Sequence, residues 1–486
     1  MSAKKVQLEH RLAGEQQTLT LPLRALIRNE PIVCRKDRSV REAAAIMQEC
    51  GVGSVIVVDA DSRPVGIFSE RDLVEAVARG LDTRPVAELM TSSPLSLPAH
   101  AFAYEAALAM TANRIRHVLV TDDEKLIGVV SERDLFSLQR LGLGELTTEI
   151  RLAGEVAILE SIAAEIRKLT RLLVEQGVAA EQLTLYVSVL NDRLCQRVIE
   201  VVRKRYQWEQ ISWCWLGFGS EGRLEQTFST DQDNGIIFAA HDAAAPDEVR
   251  ARLLPFARAV NEALDACGFR WCKGNVMASN PALCLSVEEW RAKMGGWLEN
   301  WEPQALLDAT IYFDFRALYG DATLAAGLRQ WVLERTRAHP AFLRQMAENA
   351  LQARPALGTL RDFATEDAPN APHSINMKLY GVRPFVDAAR VYALAQGLPQ
   401  TNTVERLRAA GAAAGMGAGE TEATVDAFLV IQQLRLRHQA SQDALTEDNA
   451  NRIDPETLNE LDRQILKEAF RLARKLQQRL ALDYQL

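Results

Sequence analysis

Apolar and polar positions alternate in short runs through the first third of the chain, and the runs come twice. Val52-Gly-Ser-Val-Ile-Val-Val-Asp59 leads into Pro64-Val-Gly-Ile-Phe-Ser-Glu-Arg-Asp-Leu73. Ile115-Arg-His-Val-Leu-Val-Thr-Asp122 leads into Leu126-Ile-Gly-Val-Val-Ser-Glu-Arg-Asp-Leu135. Gly66 falls opposite Gly128, and Asp72 opposite Asp134, at one constant offset. Apolar runs of this length joined by short charged turns, at 60–63 and 123–125, predict hairpins. Helices are expected before them, at 40–50 and 103–113, and after them, at 71–79 and 133–140. Two such units should pack on each other through their apolar faces.

Further along, the period changes from two to between three and four. Leu159, Ile162, Ile166, Leu169, Leu172 and Leu173 mark one face of a helix within a helix-rich stretch at 143–205. That stretch is either a connection between two domains or part of the core of the second. From about residue 330 the chain reads as helical. Leu458, Leu461, Ile465, Ala469, Leu472, Leu476 and Leu480 predict one apolar face on a terminal helix, and several such helices imply a bundle.

Composition narrows the class. A chain of 486 residues is expected to hold three or four domains, and 48% hydrophobic with 25% charged residues is a globular balance. The net charge of −8, with no basic segment interleaved with aromatics, argues against a nucleic-acid partner. The first residues carry charges where a secretory signal would be apolar, and no run approaches the roughly 20 apolar residues of a membrane span. Seven scattered cysteines without a CxxC pair fit free thiols in a reducing cytoplasm. The expected divisions are an N-terminal segment at 1–24, the repeat at 25–142, the helical stretch at 143–205, and further domains at 206–328 and 329–486.

The window Ser212-Trp-Cys-Trp-Leu-Gly-Phe-Gly-Ser-Glu-Gly-Arg-Leu-Glu-Gln-Thr-Phe-Ser-Thr-Asp-Gln-Asp-Asn-Gly-Ile-Ile-Phe238 holds the most chemistry. It predicts a strand at 212–217, a glycine-rich turn at 217–222 and a second strand at 234–239. Asp231 and Asp233 sit at its entry, where period two puts both on one face. Two carboxylates so close repel unless a cation lies between them, and Mg2+ is a cation that takes oxygen ligands. Gly219 and Ser220 can bring backbone N–H groups and a hydroxyl to phosphate oxygens. Gly217-Phe-Gly-Ser-Glu-Gly222 formally matches a dinucleotide-binding fingerprint, but no βαβ unit follows it. No Gly-Lys-Ser/Thr makes it a Walker loop. His241-Asp242 sits in an Ala/Pro loop without the further His and Asp ligands of a metal phosphohydrolase.

The repeat resembles a tandem pair of CBS (cystathionine β-synthase) domains. The resemblance implies adenine nucleotide ligands (AMP, ADP or ATP) contacted by Ser69 with Asp72 and by Ser131 with Asp134, and association into homodimers. A second reading makes these residues helix caps. Gly-Ser, ten residues and Asp-x-Asp resembles the DNA polymerase β-like nucleotidyltransferase superfamily. The string GSEGRLEQTFSTDQDN resembles its branch containing protein-PII uridylyltransferase. The implied chemistry is transfer of NMP from an NTP to an acceptor hydroxyl, on a protein, with two Mg2+ ions. Asp231 and Asp233 are the implied ligands, joined by Asp314 in Ala309-Thr-Ile-Tyr-Phe-Asp-Phe-Arg316. A charged residue in that apolar strand needs a metal or an ion pair, for which Arg316 is at hand. Arg223 and Lys273 are implied phosphate clamps. Asn376-Met-Lys-Leu-Tyr-Gly-Val-Arg-Pro-Phe-Val-Asp-Ala-Ala-Arg390 resembles the helical substrate-binding domain of the same family. There Lys378, Arg383 and Arg390 either face the ligand or form salt bridges, and His438 is expected to be a packed residue. The expected fold class is multidomain α/β plus α: an α/β CBS pair, an α+β polymerase β-like domain and a C-terminal helical bundle. The alternative function is a catalytically silent adenine-nucleotide sensor.

Overall fold

A computed structural model describes residues 22–27, 31–92, 94–113, 115, 117–131, 143–175, 177–206, 211–228, 231–240, 245–300, 303–358, 362–368, 371–441 and 449–486. The chain divides into two compact units after Thr147.

In the first unit, β1 (Val33–Arg35) runs parallel to β2 (Ser54–Val58), which pairs antiparallel with β3 (Pro64–Ser69); β4 (Thr91–Ser92) closes the sheet. The second copy repeats this with β5 (Ser96–Pro98) parallel to β6 (His117–Asp122) and β6 antiparallel to β7 (Lys125–Ser131). The registers coincide. Ser54 faces Ser69 and Val57 faces Gly66, while His117 faces Ser131 and Val120 faces Gly128. Helix Val40–Cys50 starts at a capping box in which the Glu42 carboxylate accepts from the Ser39 N–H at 2.8 Å. Its Val40, Ala43 and Met47 bury against β2 and β3, and helix Ala103–Asn113 does the same in the second copy. Each copy keeps its own core, and Ile56, Val58 and Leu119 form a small third cluster between them. The expected helix at 133–140 lies outside the described residues.

The second unit begins with helices Val156–Glu175 and Ala180–Arg203. Leu159, Ile162, Ile166 and Leu173 are buried, as their spacing predicts. These helices lie within the unit that follows. A four-stranded sheet comes next, in the order β10-β9-β8-β11. Its strands are β8 (Trp213–Gly217), β9 (Asn234–Phe238), β10 (Cys284–Ser286) and β11 (Arg316–Gly320). Every residue of β8 and β9 is buried. Trp290, on helix Val287–Glu299, packs on the sheet and donates its indole N–H to the Ile236 carbonyl at 2.9 Å.

The C-terminal region is helical. Helices Ala322–Arg337, Pro340–Ala350, Arg383–Gln396, Thr403–Gly411, Ala418–Ser441 and Glu460–Asp483 share one core with the four-stranded sheet, through Phe218, Tyr312, Phe342, Phe385 and Phe470. Three expectations change. A small sheet of β12 (Glu366–Ala368), β13 (Ala371–Asn376) and β14 (Arg452–Ile453) interrupts the helices. The segment read as a strand ending at Arg316 is instead the end of helix Pro303–Tyr312, whose Leu306 and Ala309 are buried three residues apart, followed by a turn. On the terminal helix Ala469, Leu476 and Leu480 are buried as expected, but Leu461 is 66% exposed and the buried face also takes in Leu466, Phe470 and Ala473. Among the described residues no helix is long and apolar enough to cross a membrane.

Candidate functional site

The end of β8 and the entry to β9 are adjacent because the strands pair Gly217 with Asn234, and the Phe218 N–H donates to the Asp233 carbonyl at 2.8 Å. The chain then turns through one helical turn, Gly219–Gly222. Gly219 has φ +55°, and a Cβ there would lie 3.1 Å from Asp233 Oδ2. Glycine is therefore required both for the backbone and for the closeness of the turn to the carboxylate. Gly222 is as constrained, since a Cβ there would fall 1.8 Å from the Asp314 carbonyl oxygen.

Asp231 and Asp233 are half-buried and flank Gln232, which is 2% exposed. That alternation leaves both carboxylates on the exposed side of the segment, although β9 begins only at Asn234 and the arrangement is that of the loop entering the strand. Gln232 anchors the segment from below. Its amide N–H groups donate to the Asn261 and Phe269 carbonyls at 2.9 and 2.8 Å, and its oxygen accepts from Asn261 at 2.7 Å. Asn261 also donates to Asn234, whose oxygen accepts from the Ala278 N–H at 2.8 Å. Sequence reasoning missed these three amides. For Gln232 and Asn234 the signal was present, polar residues at alternate positions entering an apolar strand, whereas Asn261 lies within helix Pro246–Ala266 and gave none. Asp231 pairs with Arg270 at 3.2 Å. Burial pushes the Asp233 carboxyl up to about 6, against the pull of the Lys378 ammonium and a hydrogen bond from the Cys272 thiol. Lys378 is the member of the C-terminal motif that comes near the acidic pair. It is exposed, at the start of the turn Met377–Val382. Lys273 is exposed in the loop next to Cys272.

Asp314 is not gathered with Asp231 and Asp233, which corrects its expected role as third metal ligand. It is fully buried, and its oxygens are taken by guanidinium groups: Arg223 at 2.9 Å, Arg390 at 2.7 and 3.1 Å, and Arg406 at 2.7 Å. Burial alone would raise its carboxyl, but Arg390, Arg406 and Arg223 overcome that and hold it far below the usual carboxylate range. Among the described residues no group of three His, Cys, Asp or Glu side chains is placed to hold a metal. Arg223, expected as a phosphate clamp, is committed to Asp314 and to Glu225 at 2.9 Å. Arg316 pairs not with Asp314 but bidentately with Asp192, at 2.6 and 2.7 Å, and donates from Nε to the Glu221 carbonyl. Glu221 itself is buried, with the Cys195 thiol 3.8 Å from its carboxyl oxygen, and burial pushes it up to about 8.

Arg383 and Arg390 both bond Asp387, at 2.9 and 2.6 Å. His438 lies 3.0 Å from the Asn449 carbonyl as a packed residue. In the first unit the Ser69 N–H and hydroxyl both donate to Asp72 Oδ2, at 2.8 and 2.6 Å, the geometry of a helix cap. Ser131 ends β7; Asp134 and His241-Asp242 lie outside the described residues.

Comparison with known proteins follows the same divisions. Residues 23–79 and 86–140 match the family described as "CBS domain". Residues 164–304 match "Putative nucleotidyltransferase DUF294", and 340–484 match "Putative nucleotidyltransferase substrate binding domain". An uncharacterised 17.7 kDa protein of Acidianus ambivalens is 36% identical over 21% of this chain and 63% of its own length. The uncharacterised protein YlbB of Bacillus subtilis is 35% identical over 20% of this chain and 68% of its own. This chain spans 33% of an uncharacterised 33.4 kDa protein of Thermofilum pendens. Among solved structures, a CBS domain protein of Pyrobaculum aerophilum complexed with AMP is 31% identical and covers 26% of this chain and 99% of its own, with a TM-score of 0.24. The chain carries tandem CBS domains, followed by a putative nucleotidyltransferase domain of the DUF294 type and the putative substrate-binding domain that goes with it.

Proposed function

We propose that the second unit transfers NMP from an NTP to a hydroxyl on a protein acceptor, releasing pyrophosphate, as in the protein-PII uridylyltransferase branch its motif resembles. The observation that carries this reading is the placement of Asp231 and Asp233 on one face, with Gly219 against Asp233 Oδ2. Two half-exposed carboxylates fit Mg2+, which is commonly held by one or two carboxylates together with substrate phosphates. When bound, Mg2+ offsets charge on the triphosphate and favours ionisation of the attacking hydroxyl.

The chain's own residues do the rest. The Gly219–Ser220 backbone approaches the phosphates without a side chain in the way, and Lys378 and Lys273 supply positive charge at the rim. The buried amides Gln232, Asn234 and Asn261 fix the acidic pair before substrate arrives, so that little reorganisation is left for the reaction. In the CBS pair, Ser69 with Asp72, and Ser131 with Asp134, bind the ribose of an adenine nucleotide that regulates the transferase, and the pair associates into a homodimer. The Ser69 N–H and hydroxyl both fall on Oδ2 of Asp72, and the ribose contact is assigned to Oδ1.

The test is Mg2+-dependent pyrophosphate release with each NTP in lysate of the source organism, beside Asp231→Ala and Asp233→Ala. Label transfer to one protein band, reduced to background in the variants, is expected. Indistinguishable wild type and variants for every NTP, with AMP or ATP supplied, would favour the second reading, a silent adenine-nucleotide sensor. The sequestration of Asp314 is the observation on that side.

A further inference from the structure

We infer that Asp314 is a positioning residue, which takes up Arg223 from the glycine-rich turn and Arg390 and Arg406 from the helical region, and so makes the nucleotide site conditional on the helical region being docked. The inference rests on the reading of Gly219, Ser220, Asp231 and Asp233 as that site.

Three observations support it. The first is saturation. Oδ1 of Asp314 meets Arg390 Nε and Arg406, and Oδ2 meets Arg223 and Arg390 Nη2, so that a metal ion would have to push a buried guanidinium off its partner. The second is that the same segments are tied together beside the carboxylate. The Thr401 hydroxyl donates to the Gly222 carbonyl at 2.8 Å, the Asn402 amide to the Arg223 carbonyl at 3.0 Å, and the Thr403 N–H to Glu225 Oε1 at 2.7 Å. The turn that approaches Asp233 is thus held at its C-terminal end by groups from 401–403. The third is continuity. Arg390 lies on the helix that continues from the turn carrying Lys378, and Arg383 and Arg390 both bond Asp387 on that helix. One carboxylate therefore fixes both the glycine-rich turn and the helix that brings Lys378 towards Asp233.

The experiment measures Mn2+ binding, NTP binding and pyrophosphate release on the full chain for wild type, Asp233→Ala, Asp314→Asn and Arg390→Lys. Asp233→Ala is expected to lose Mn2+ binding. Asp314→Asn and Arg390→Lys are expected to keep Mn2+ affinity within about twofold while NTP affinity and turnover fall about tenfold or more, the cost of misplacement rather than of a missing ligand. Arg390→Lys keeps a cation and leaves Asp314 two guanidinium partners, so it carries the test if Asp314→Asn does not fold. Loss of Mn2+ binding in folded Asp314→Asn equal to that in Asp233→Ala would overturn the inference, as would wild-type NTP affinity and turnover in Arg390→Lys. If wild type turns over no nucleotide, the proposed activity fails by itself. The metal and nucleotide affinities of the same variants still decide the role of Asp314.

Discussion

The two units achieve order by opposite means. In the CBS pair the cores are built mostly from neighbours in the chain, a hairpin and its flanking helix, with Leu23 and Leu26 reaching the second copy's core from ahead of the first, and the polar contacts are caps and short pairs near the surface. In the second unit the site depends on partners far apart in sequence, and the polar contacts are buried charges. Arg223, Asp314, Arg390 and Arg406 meet at one point with almost no exposure. An apolar core tolerates the loss of a contact by relaxing, whereas a buried carboxylate among three guanidinium groups has no cheap alternative state. The unit expected to bind a regulator is the locally built one. The unit expected to do chemistry is held by long-range electrostatics.

The comparison breaks most visibly at Asp314. Asp314→Asn should destabilise the second unit by about 3–5 kcal/mol while leaving the first unit unchanged, which calorimetry of the full chain reads as the shift of one transition and not the other. Acid acts in the same direction. The Asp314 carboxyl is held below its ordinary value, so its stabilisation is complete above about pH 4 and is lost as pH falls below that. The second unit should therefore lose stability more steeply than the first between about pH 4 and pH 2. Equal slopes would remove the distinction.

A smaller effect of opposite sign belongs to Glu221. Its carboxyl is raised to about 8, so the fold is favoured by the protonated form. That stabilisation is present below the ordinary value near 4.3 and declines as pH rises towards 8. Glu221→Gln should consequently gain several degrees in melting temperature over wild type at pH 8.5 and little at pH 5. A constant difference between the two proteins would show that Glu221 is not held protonated. The smallest effect is expected in the first unit, where Asp72→Ala removes a helix-capping partner and should cost about 1 kcal/mol. Its larger consequence should be on adenine nucleotide binding, read by titration with AMP. Unchanged binding would leave Asp72 with the cap alone.

The same contrast explains what was legible in the sequence. The CBS repeat could be read down to its register, because hairpins and caps are written in consecutive residues. The closeness of Gly219 to Asp233 was legible for that reason too, since the two lie at opposite ends of the connection between β8 and β9. Asp314 was visible only as a charge in apolar surroundings. Its partners are separated from it along the chain, and an ion pair between distant segments leaves no periodicity; the adjacent Arg316 was the nearer guess, but it reaches Asp192 on another helix. The terminal helix shows a related limit. Ala469, Leu476 and Leu480 are buried as their spacing predicts, yet over the first turns packing selected Leu466 and Phe470 rather than Leu461 and Ile465. The small sheet was missed because β14 has two residues and β13 contains Pro, His and Asn.

The linked amides beneath the acidic pair carry a historical consequence. Gln232, Asn261 and Asn234 satisfy one another, so changing any one of them strands a buried donor or acceptor on the next. Single substitutions along this ladder are each costly, whereas a concerted replacement need not be. Descendants of this chain should thus tend to keep all three residues or to exchange them together, and the acidic pair above them inherits a position that drift alters only in jumps.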